Sequence, residues 1–253
     1  MVQMENSRVN TIIGDVTLEE LNIGGLHIRQ PRQGYRFSLD AILLADFLRV
    51  KAGERLLDMG TGSGIIPLLA SELTPAQEIV GLELQDRLTV LARENVRLNH
   101  LEDRITIVHG DLRHIADIFH TGEFDVVCSN PPYRKVGSGR INPNSEAAIA
   151  RHEVACALED LVAAYKYLVK PGGKVFMIYL AERLGELMSH LRQYNLEPKR
   201  LRFVHSSHTA EASLALVEAH RDASAGLKIL PPFVVYTREK EYTDEAKRIL
   251  REN

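Results

Sequence analysis

A stiff loop rich in hydrogen-bond acceptors is encoded by Asn130, Pro131, Pro132 and Tyr133, which follow one another directly. The apolar run before it, residues 124–129, predicts a buried strand, and ligands of open α/β sheets bind beyond the carboxyl ends of such strands. The two prolines have no N–H group and a restricted φ angle, so the loop offers acceptors but no donors there, and the Asn130 amide adds a carbonyl oxygen. Such a frame suits the capture of an –NH₂ group, and Tyr133 offers an aromatic face for a base taken out of its stack.

A glycine-rich turn, Asp-Met-Gly-Thr-Gly-Ser-Gly at residues 58–64, is the second stretch that suits a ligand. Residues 55–58 suit a buried strand, and residues 65–70 suit a buried helix. Proline is tolerated only in the first turn of a helix, so Pro67 predicts a helix that begins near Ser63, with Ser63 as its N-cap. Glycines at alternate positions let the backbone turn sharply and let a ligand approach without a Cβ in the way.

The spacing of these glycines argues against two phosphate-binding motifs. Ile65 stands where a dinucleotide fingerprint has its third glycine, and the Gly-Lys-Ser/Thr ending of a P-loop is absent. Asp58 would also repel phosphate and favour a cation. The pattern D-x-G-x-G-x-G resembles the first motif of class I S-adenosylmethionine (SAM) methyltransferases, and a purely structural turn in an α/β protein is the alternative.

Two further predicted strands end close to an acidic residue. Residues 79–83 end in Glu83, and a carboxylate at that edge can accept both hydroxyls of a ribose, as in dinucleotide folds. Residues 105–108 are followed by Asp111, which contacts the adenine amine in the methyltransferase pattern and which could also cap a helix at Leu112. The resemblance therefore implies a SAM site formed by Asp58, Gly60, Thr61, Gly62, Glu83, Leu84, Asp111, Leu112 and Asn130.

The Asn-Pro-Pro-Tyr tetrapeptide, together with the glycine motif, resembles the amino-methylating class I methyltransferases, which include adenine-N6, guanine-N2 and glutamine-N5 enzymes. The resemblance implies a Rossmann-like α/β fold, with a seven-stranded, mostly parallel sheet and helices on both faces. It also implies a catalytic loop of Asn130, Pro131, Pro132 and Tyr133, whose acceptors align the lone pair of the target amine with the methyl group on the SAM sulfur. Because SAM is already activated, no strong base is required. The tetrapeptide does not choose among these amine substrates.

A third stretch, residues 30–45, precedes the glycine turn and contains Gln-Pro, Gly-Tyr-Arg-Phe-Ser and Leu-Leu in that order. Ser38 predicts the start of an apolar helix, and residues 26–30 predict the second arm of a hairpin. The stretch resembles the tRNA1(Val) adenine-N6 methyltransferase family, and in methyltransferases this element lies over the SAM site. The resemblance implies that Gln30, Tyr35, Phe37 and Asp40 line this site. Alternatively, Phe37 is a core residue and Asp40 is a solvated acid in the first turn of the helix.

The 253-residue chain is long enough for one large domain, and its 45% hydrophobic and 26% charged residues are ordinary for a soluble globular protein. We predict a single methyltransferase domain over residues 1–253, in which residues 1–50 form a hairpin and a helix that cover the cofactor site. A cytoplasmic protein is expected, because the N-terminus lacks a signal-peptide core, no apolar run could span a membrane, and two cysteines are too few for a disulfide framework. No metal site is expected, because His205 and His208 lack a third ligand at a suitable spacing. The oligomeric state is not indicated.

The net charge of −3 means that any contact with nucleic acid must come from a local patch. Basic residues gather near residues 29–36, 134–140 and 199–202, although each cluster alone is more often a solvated face. Residues 134–151 form a polar loop after the tetrapeptide, which predicts a mobile loop on the substrate side or, alternatively, a plain insertion. The candidate RNA contacts are Arg36, Arg134, Lys135, Arg151, Arg200 and Arg202.

The leading hypothesis from these patterns is SAM-dependent N6-methylation of an adenine in tRNA, next to the anticodon of a valine tRNA. The alternatives are methylation of an rRNA guanine N2, a DNA adenine N6 or a protein glutamine N5, and a non-catalytic RNA-binding module with the same fold. The basic clusters that flank the tetrapeptide favour a nucleic acid over glutamine.

Overall fold

The computed structural model of the protein describes residues 14–33, 36–131 and 158–251. Near the N-terminus, strands β1 (Val16–Glu20) and β2 (His27–Pro31) form an antiparallel hairpin in which Thr17 lies opposite Gln30. Helix α1 (Leu39–Phe47) follows, with Ser38 at its N-cap position in an extended conformation. The predicted hairpin arm and the helix start at Ser38 are therefore confirmed.

The other strands form one mixed sheet. They are β3 (Arg55–Met59), β4 (Glu78–Glu83), β5 (Ile105–His109), β6 (Phe124–Ser129), β7 (Val169–Leu180), β8 (Leu196–Ser207), β9 (Ala212–Arg221), β10 (Lys228–Ile229) and β11 (Phe233–Tyr236). The spatial order of the seven main strands is β8-β9-β7-β6-β3-β4-β5, and the short strands β10 and β11 both pair in parallel with β8. Strands β3 to β7 pair in parallel, whereas β9 is antiparallel to both β7 and β8. The predicted sheet of seven mostly parallel strands is confirmed, with two short strands added beside β8.

Helices cover both faces of this sheet. They are α2 (Ile65–Leu73), α3 (Asp86–Leu98), α4 (Leu158–Leu168), α5 (Leu184–Gln193) and α6 (Asp244–Leu250), with 3-10 helices at Leu112–Asp117 and Ala181–Arg183. Side chains alternate between the two faces of a strand. In β3, Leu56 belongs to the core layer that contains α1 and α2, and Leu57 belongs to the layer that contains α4 and α5. Within the described ranges, no helix is both long enough and apolar enough to cross a bilayer.

The start of α2 differs from the prediction. Gly64, not Ser63, occupies the N-cap position, and its φ angle of 85° lies in the left-handed region that favours glycine. A Cβ atom on Gly64 would also come within 3.3 Å of the Cβ atom of Ala92 on α3. The left-handed backbone and the close approach of α3 both favour glycine here, and the predicted serine cap is wrong. Pro67 lies in the first turn of α2, as predicted.

Candidate active site

The glycine turn and Asn130, the first residue of the tetrapeptide, follow neighbouring strands at the centre of the sheet. Strands β3 and β6 are neighbours, with Asp58 opposite Cys128, and the strand order reverses between them. The glycine turn follows β3 and Asn130 follows β6, so both lie at the carboxyl ends of adjacent strands, which are about 4.8 Å apart in a sheet. Ligands of open α/β sheets bind at such a switch point.

Hydrogen bonds from β4 fix the shape of the glycine turn. The Gly60 N–H donates to Leu82 O at 2.8 Å. One carboxylate oxygen of Glu83 accepts from the Gly62 N–H at 2.8 Å, and the other accepts from the Gln85 N–H at 2.9 Å. Gly60 has a φ angle of 75°, and a Cβ atom added there would meet no atom within 4 Å. The turn is therefore rigidly held and leaves open space beside Gly60.

Three buried polar atoms at this turn have no hydrogen-bond partner among the described residues: Asp58 Oδ2, Thr61 Oγ1 and Ser63 Oγ. The Asp58 side chain is fully buried, and its other oxygen lies 3.7 Å from the Cys128 thiol. Buried polar groups are normally hydrogen-bonded, because leaving one unpaired costs about 1–3 kcal/mol. These residues therefore fit a polar ligand that would supply the partners.

The acidic groups of the site are costly to ionise. Burial raises the pKa of Asp58 to about 7, against interactions with the Thr61 hydroxyl and the Cys128 thiol that lower it, and the negative charge of Glu83 adds to the rise. Burial also raises the pKa of Glu83, against the hydrogen bonds from the Gln85 and Gly62 N–H groups that lower it. Burial raises the pKa of the Cys128 thiol well above its ordinary value, so the thiol stays protonated and can donate to Asp58. A ligand that carries positive charge would stabilise the ionised form of these two buried carboxyl groups.

Residues 37–181, more than half of the chain, match the family described as the methyltransferase small domain. The chain belongs to this methyltransferase family. Among curated proteins, the tRNA1(Val) (adenine(37)-N6)-methyltransferase of Porphyromonas gingivalis is 30% identical over 172 residues, which cover 66% of this chain and 67% of the relative. The protein of the same name from Aeromonas hydrophila is 29% identical over 171 residues, which cover 67% of this chain and 70% of the relative.

Solved structures of methyltransferases share the fold. A predicted O-methyltransferase from Agrobacterium tumefaciens superposes with a TM-score of 0.68 at 18% identity, covering 84% of this chain and 95% of that chain. TrmN from Thermus thermophilus superposes with a TM-score of 0.54 at 24% identity, covering 72% of this chain and 48% of that chain. At these identities the comparison shows the fold alone, and it agrees with the predicted class I methyltransferase architecture.

The methyltransferase holds Asp111 and Leu84 at the strand ends beside Glu83. Asp111 accepts from the Arg113 N–H at 2.9 Å and caps the 3-10 helix that begins at Leu112. It also pairs with the Arg113 guanidinium, and this hydrogen bond lowers the pKa of Asp111. The carbonyl oxygen of Leu84 lies 2.8 Å from His109 Nε2. The capping role of Asp111 is confirmed, and its contact with adenine stays a prediction.

The segment before α1 is tied to the hairpin through Gln30, which is 1% exposed. Its side-chain oxygen accepts from the Phe37 N–H at 2.9 Å, and its nitrogen donates to Glu19 at 2.9 Å. Phe37 is half-buried against the core, and Asp40 lies in the first turn of α1. Contact of Gln30, Phe37 and Asp40 with the cofactor stays a prediction. Gln30 thus orients this segment with both ends of its amide. Tyr35 lies outside the described residues.

The predicted RNA contacts Arg200 and Arg202 lie away from the site on β8, which two strands separate from β6. Arg200 pairs with Glu218, and its guanidinium lies 4.4 Å from the centre of the Phe47 ring. Arg202 pairs with Glu245 at 2.6 Å. The two side chains are only 21% and 16% exposed. Both charges are paired within the fold, and the contact of Arg200 and Arg202 with RNA stays a prediction.

The remaining predicted residues of the catalytic loop and of the RNA contacts divide into two groups. Arg36 is held in the hairpin, where it pairs with Glu19 and donates to Thr17 at 2.9 Å. Pro132, Tyr133, Arg134, Lys135 and Arg151 lie outside the described residues, so their roles stay predictions. Among the residues that the structure describes, no three His, Cys, Asp or Glu side chains are grouped to hold a metal ion.

Two buried contacts that support the site were not predicted from the sequence. The hydroxyl of Ser129, the last residue of β6, hydrogen-bonds with the hydroxyl of Tyr165 on α4, and both side chains are fully buried. Asn95 on α3 donates to the Ser63 carbonyl of the glycine turn at 2.8 Å. The sequence feature that could have indicated the second contact is the position of Asn95, a polar residue on the apolar face of α3, four residues after Leu91.

Proposed function

We propose that this methyltransferase transfers the methyl group of SAM to N6 of an adenine in a tRNA. The single observation that carries the proposal is the position of Asn130 next to the glycine turn, at the carboxyl ends of the neighbouring strands β6 and β3. The choice of substrate is supported by the curated relatives, whose names specify adenine 37 of tRNA1(Val). A tRNA substrate also agrees with the expected cytoplasmic location.

The described residues of the turn fit SAM as the ligand. SAM supplies an activated methyl group on a positively charged sulfur, and the cofactor thus carries the difficult part of the chemistry. Asp58 is buried with one oxygen unpartnered and would stabilise this positive charge. Each oxygen of Glu83 accepts one backbone N–H and keeps a further lone pair, so Glu83 can also accept the hydroxyls of a ribose. The open space beside Gly60 admits the ligand close to the backbone.

Asn130 would hold the target amine. Its side-chain oxygen accepts one hydrogen of the adenine –NH₂ group, and a backbone carbonyl of the proline segment accepts the other. These acceptors turn the lone pair of a poorly nucleophilic amine toward the methyl group, and alignment then supplies much of the acceleration. The amine loses its proton to solvent afterwards, so no general base is needed. The hydrogen bond between Ser129 and Tyr165 holds the strand end that carries Asn130.

A nucleoside assay tests the proposed function. The purified protein is incubated with SAM and with one of two tRNA1(Val) transcripts, either unmodified or with adenine 37 replaced by guanine. Digestion and mass spectrometry are expected to find N6-methyladenosine in the first transcript and none in the second, and a reaction without SAM is the control. N2-methylguanosine as the product would contradict the proposed base, and equal N6-methylation of both transcripts would show that the target is not the adenine 37 named for the curated relatives.

A further inference from the structure

An asparagine pair, Asn95 and Asn99, lies on α3 against the N-terminal hairpin. The side-chain oxygen of Asn99 accepts from the His27 N–H at 2.8 Å, and its nitrogen donates to His27 O at 2.7 Å. Asn95 makes the same two contacts one helical turn earlier, with the Arg29 N–H at 2.8 Å and with Arg29 O at 2.9 Å. The two side-chain amides therefore hydrogen-bond the backbone N–H and C=O groups on the edge of β2 that faces away from β1.

The spacing of the asparagine pair matches the spacing of a strand. Four residues of an α-helix rise about 6 Å, and two residues of an antiparallel strand rise about 6.8 Å. Amides at positions i and i+4 of a helix can therefore meet the N–H and C=O groups of alternate residues on an adjacent strand. Because β1 occupies the other edge of β2, the asparagine pair takes the place of a third strand.

Asn95 also reaches the glycine turn. Its nitrogen donates to Ser63 O at 2.8 Å, whereas the corresponding third contact of Asn99 is to Asn95 O within α3, at 2.7 Å. Ser63 directly follows Gly62, whose N–H is held by Glu83. Asn95 and Glu83 thus hold successive residues of the turn, one by its carbonyl and one by its N–H. The Asn95 side chain, which is fully buried, therefore hydrogen-bonds both β2 and the glycine turn.

The hairpin in turn positions the segment that precedes α1. Gln30 directly follows Arg29 in β2 and accepts the hydrogen bond of the Phe37 N–H. A shift of β2 would therefore move both the segment before α1 and, through Asn95, the glycine turn.

We propose that Asn95 is a positioning residue that couples the N-terminal hairpin to the glycine turn and thereby raises the affinity for SAM without contacting it. The inference rests on the proposed function, because SAM is the ligand proposed for this turn. Loss of the Asn95 amide removes the partners of Ser63 O and of the Arg29 backbone, so the turn and the hairpin become free to move independently. Asn99 is a matched control, since it has the same side chain on the same helix and also makes three hydrogen bonds.

Calorimetric titration with S-adenosylhomocysteine compares Asn95→Ala and Asn99→Ala. We expect Asn95→Ala to weaken binding by about tenfold or more and Asn99→Ala by less than about threefold, because only the first substitution leaves the buried Ser63 carbonyl unpaired. Both substitutions remove contacts to β2, but Asn95→Ala also leaves the buried Ser63 carbonyl unpaired, so the decrease in its thermal unfolding midpoint is expected to be the larger of the two. Steady-state kinetics should show a raised KM for SAM in Asn95→Ala with kcat little changed, which a general loss of stability would not produce.

Hydrogen exchange of the ligand-free protein provides a second measurement. Asn95→Ala is expected to increase exchange in both the hairpin and residues 60–64, and Asn99→Ala in the hairpin alone. If Asn95→Ala does not fold, Asn95→Ser is used in its place, because serine keeps one hydrogen-bond donor. The same comparisons with Asn99→Ala then apply.

The outcomes separate the inference from the proposed function. Equal losses of affinity in the two variants, or an unchanged affinity in Asn95→Ala, would overturn the role of Asn95 while wild-type binding still supports the cofactor. If the wild-type protein binds neither SAM nor S-adenosylhomocysteine, the proposed function fails and the inference fails with it.

Discussion

Asn130→Ala is expected to lower kcat by about a thousandfold while the affinity for SAM changes by less than about threefold. Asn130 follows β6 and would hold the amine of the substrate, whereas the buried groups that fit SAM belong mainly to the turn after β3 and to Glu83 at the end of β4. Removing the side-chain acceptor leaves the amine free to rotate away from the methyl group. Single-turnover kinetics with tRNA, together with calorimetric titration of SAM, measures the two effects separately.

Asn130→Asp is the matched variant for this experiment. It keeps an acceptor oxygen on a side chain of nearly the same shape, and it replaces the –NH₂ group with a second oxygen that brings a negative charge. If the acceptor is what the reaction needs, Asn130→Asp should turn over at least about ten times faster than Asn130→Ala. A loss of SAM affinity that parallels the loss of kcat in Asn130→Ala would contradict the assigned role.

Asp58→Asn is expected to stabilise the ligand-free protein and to weaken cofactor binding. Burial raises the pKa of Asp58 from 3.8 to about 7. Because the folded pKa lies above the unfolded pKa, the folded state is favoured by protonation, and stability is lost as the pH rises from about 4 to about 7. Asparagine has nearly the same shape as aspartate but carries no charge, so the variant avoids this loss.

The size of the stability effect follows from the shift. Each unit by which the pKa of Asp58 rises on folding costs the charged folded protein about 1.4 kcal/mol of stability. The variant regains this free energy, but an unpaired amide hydrogen would offset about 1–3 kcal/mol of the gain. We therefore expect Asp58→Asn to raise the free energy of unfolding at pH 8 by about 1–3 kcal/mol. At pH 5 the folded wild-type carboxyl group is mostly protonated, so the difference should vanish or reverse. Urea unfolding of both proteins at pH 5 and pH 8 measures it.

The same substitution should weaken SAM binding by about a hundredfold, because a neutral amide cannot stabilise positive charge. In the wild-type protein, affinity should fall by up to about tenfold for each pH unit below about 7, since cation binding requires the carboxylate form of Asp58. Asp58→Asn should lose most of this dependence and retain only the part that arises from Glu83, whose pKa is also raised by burial. A wild-type affinity that is constant from pH 5 to pH 8 would contradict the role of Asp58.

Asp125 on β6 is the control for the sign of the stability effect. Burial alone would raise the pKa of Asp125, but hydrogen bonds from the Arg55 N–H and from Lys170 lower it below its ordinary value. Asp125→Asn should therefore destabilise the protein at neutral pH and leave SAM affinity unchanged. If Asp58→Asn and Asp125→Asn shift stability in the same direction, the electrostatic explanation is wrong.

Local patterns made the strand ends and the glycine turn predictable. Residues 58–64 contain three glycines because the backbone there turns sharply, and Gly60 and Gly64 both adopt positive φ angles. Short apolar runs predicted β3 to β6 because both faces of these strands are covered by helices. Since parallel strands place their carboxyl ends at one edge of a sheet, the order of the motifs was enough to place the glycine turn and Asn130 near each other.

Partners distant in the chain were not predictable. Arg200 and Arg202 belong to a basic cluster in the sequence, yet their charges are paired with Glu218 and Glu245. The serine cap predicted at Ser63 was displaced by one residue, because the cap is set by the packing of α2 against α3 and not by local propensity alone.

The class of fold, the glycine turn and the tetrapeptide that we propose to bind the amine could all be recognised from the order of residues, because each depends on backbone geometry that only a few residue types allow. The three-dimensional packing was needed to show which polar groups of the described residues remain unpartnered at the site and which hold the site together. Asp58 is left with an unpaired oxygen, whereas Gln30, Asn95 and Arg200 are engaged by other parts of the chain. This is because hydrogen bonding and burial depend on neighbours in space, which local sequence patterns do not specify.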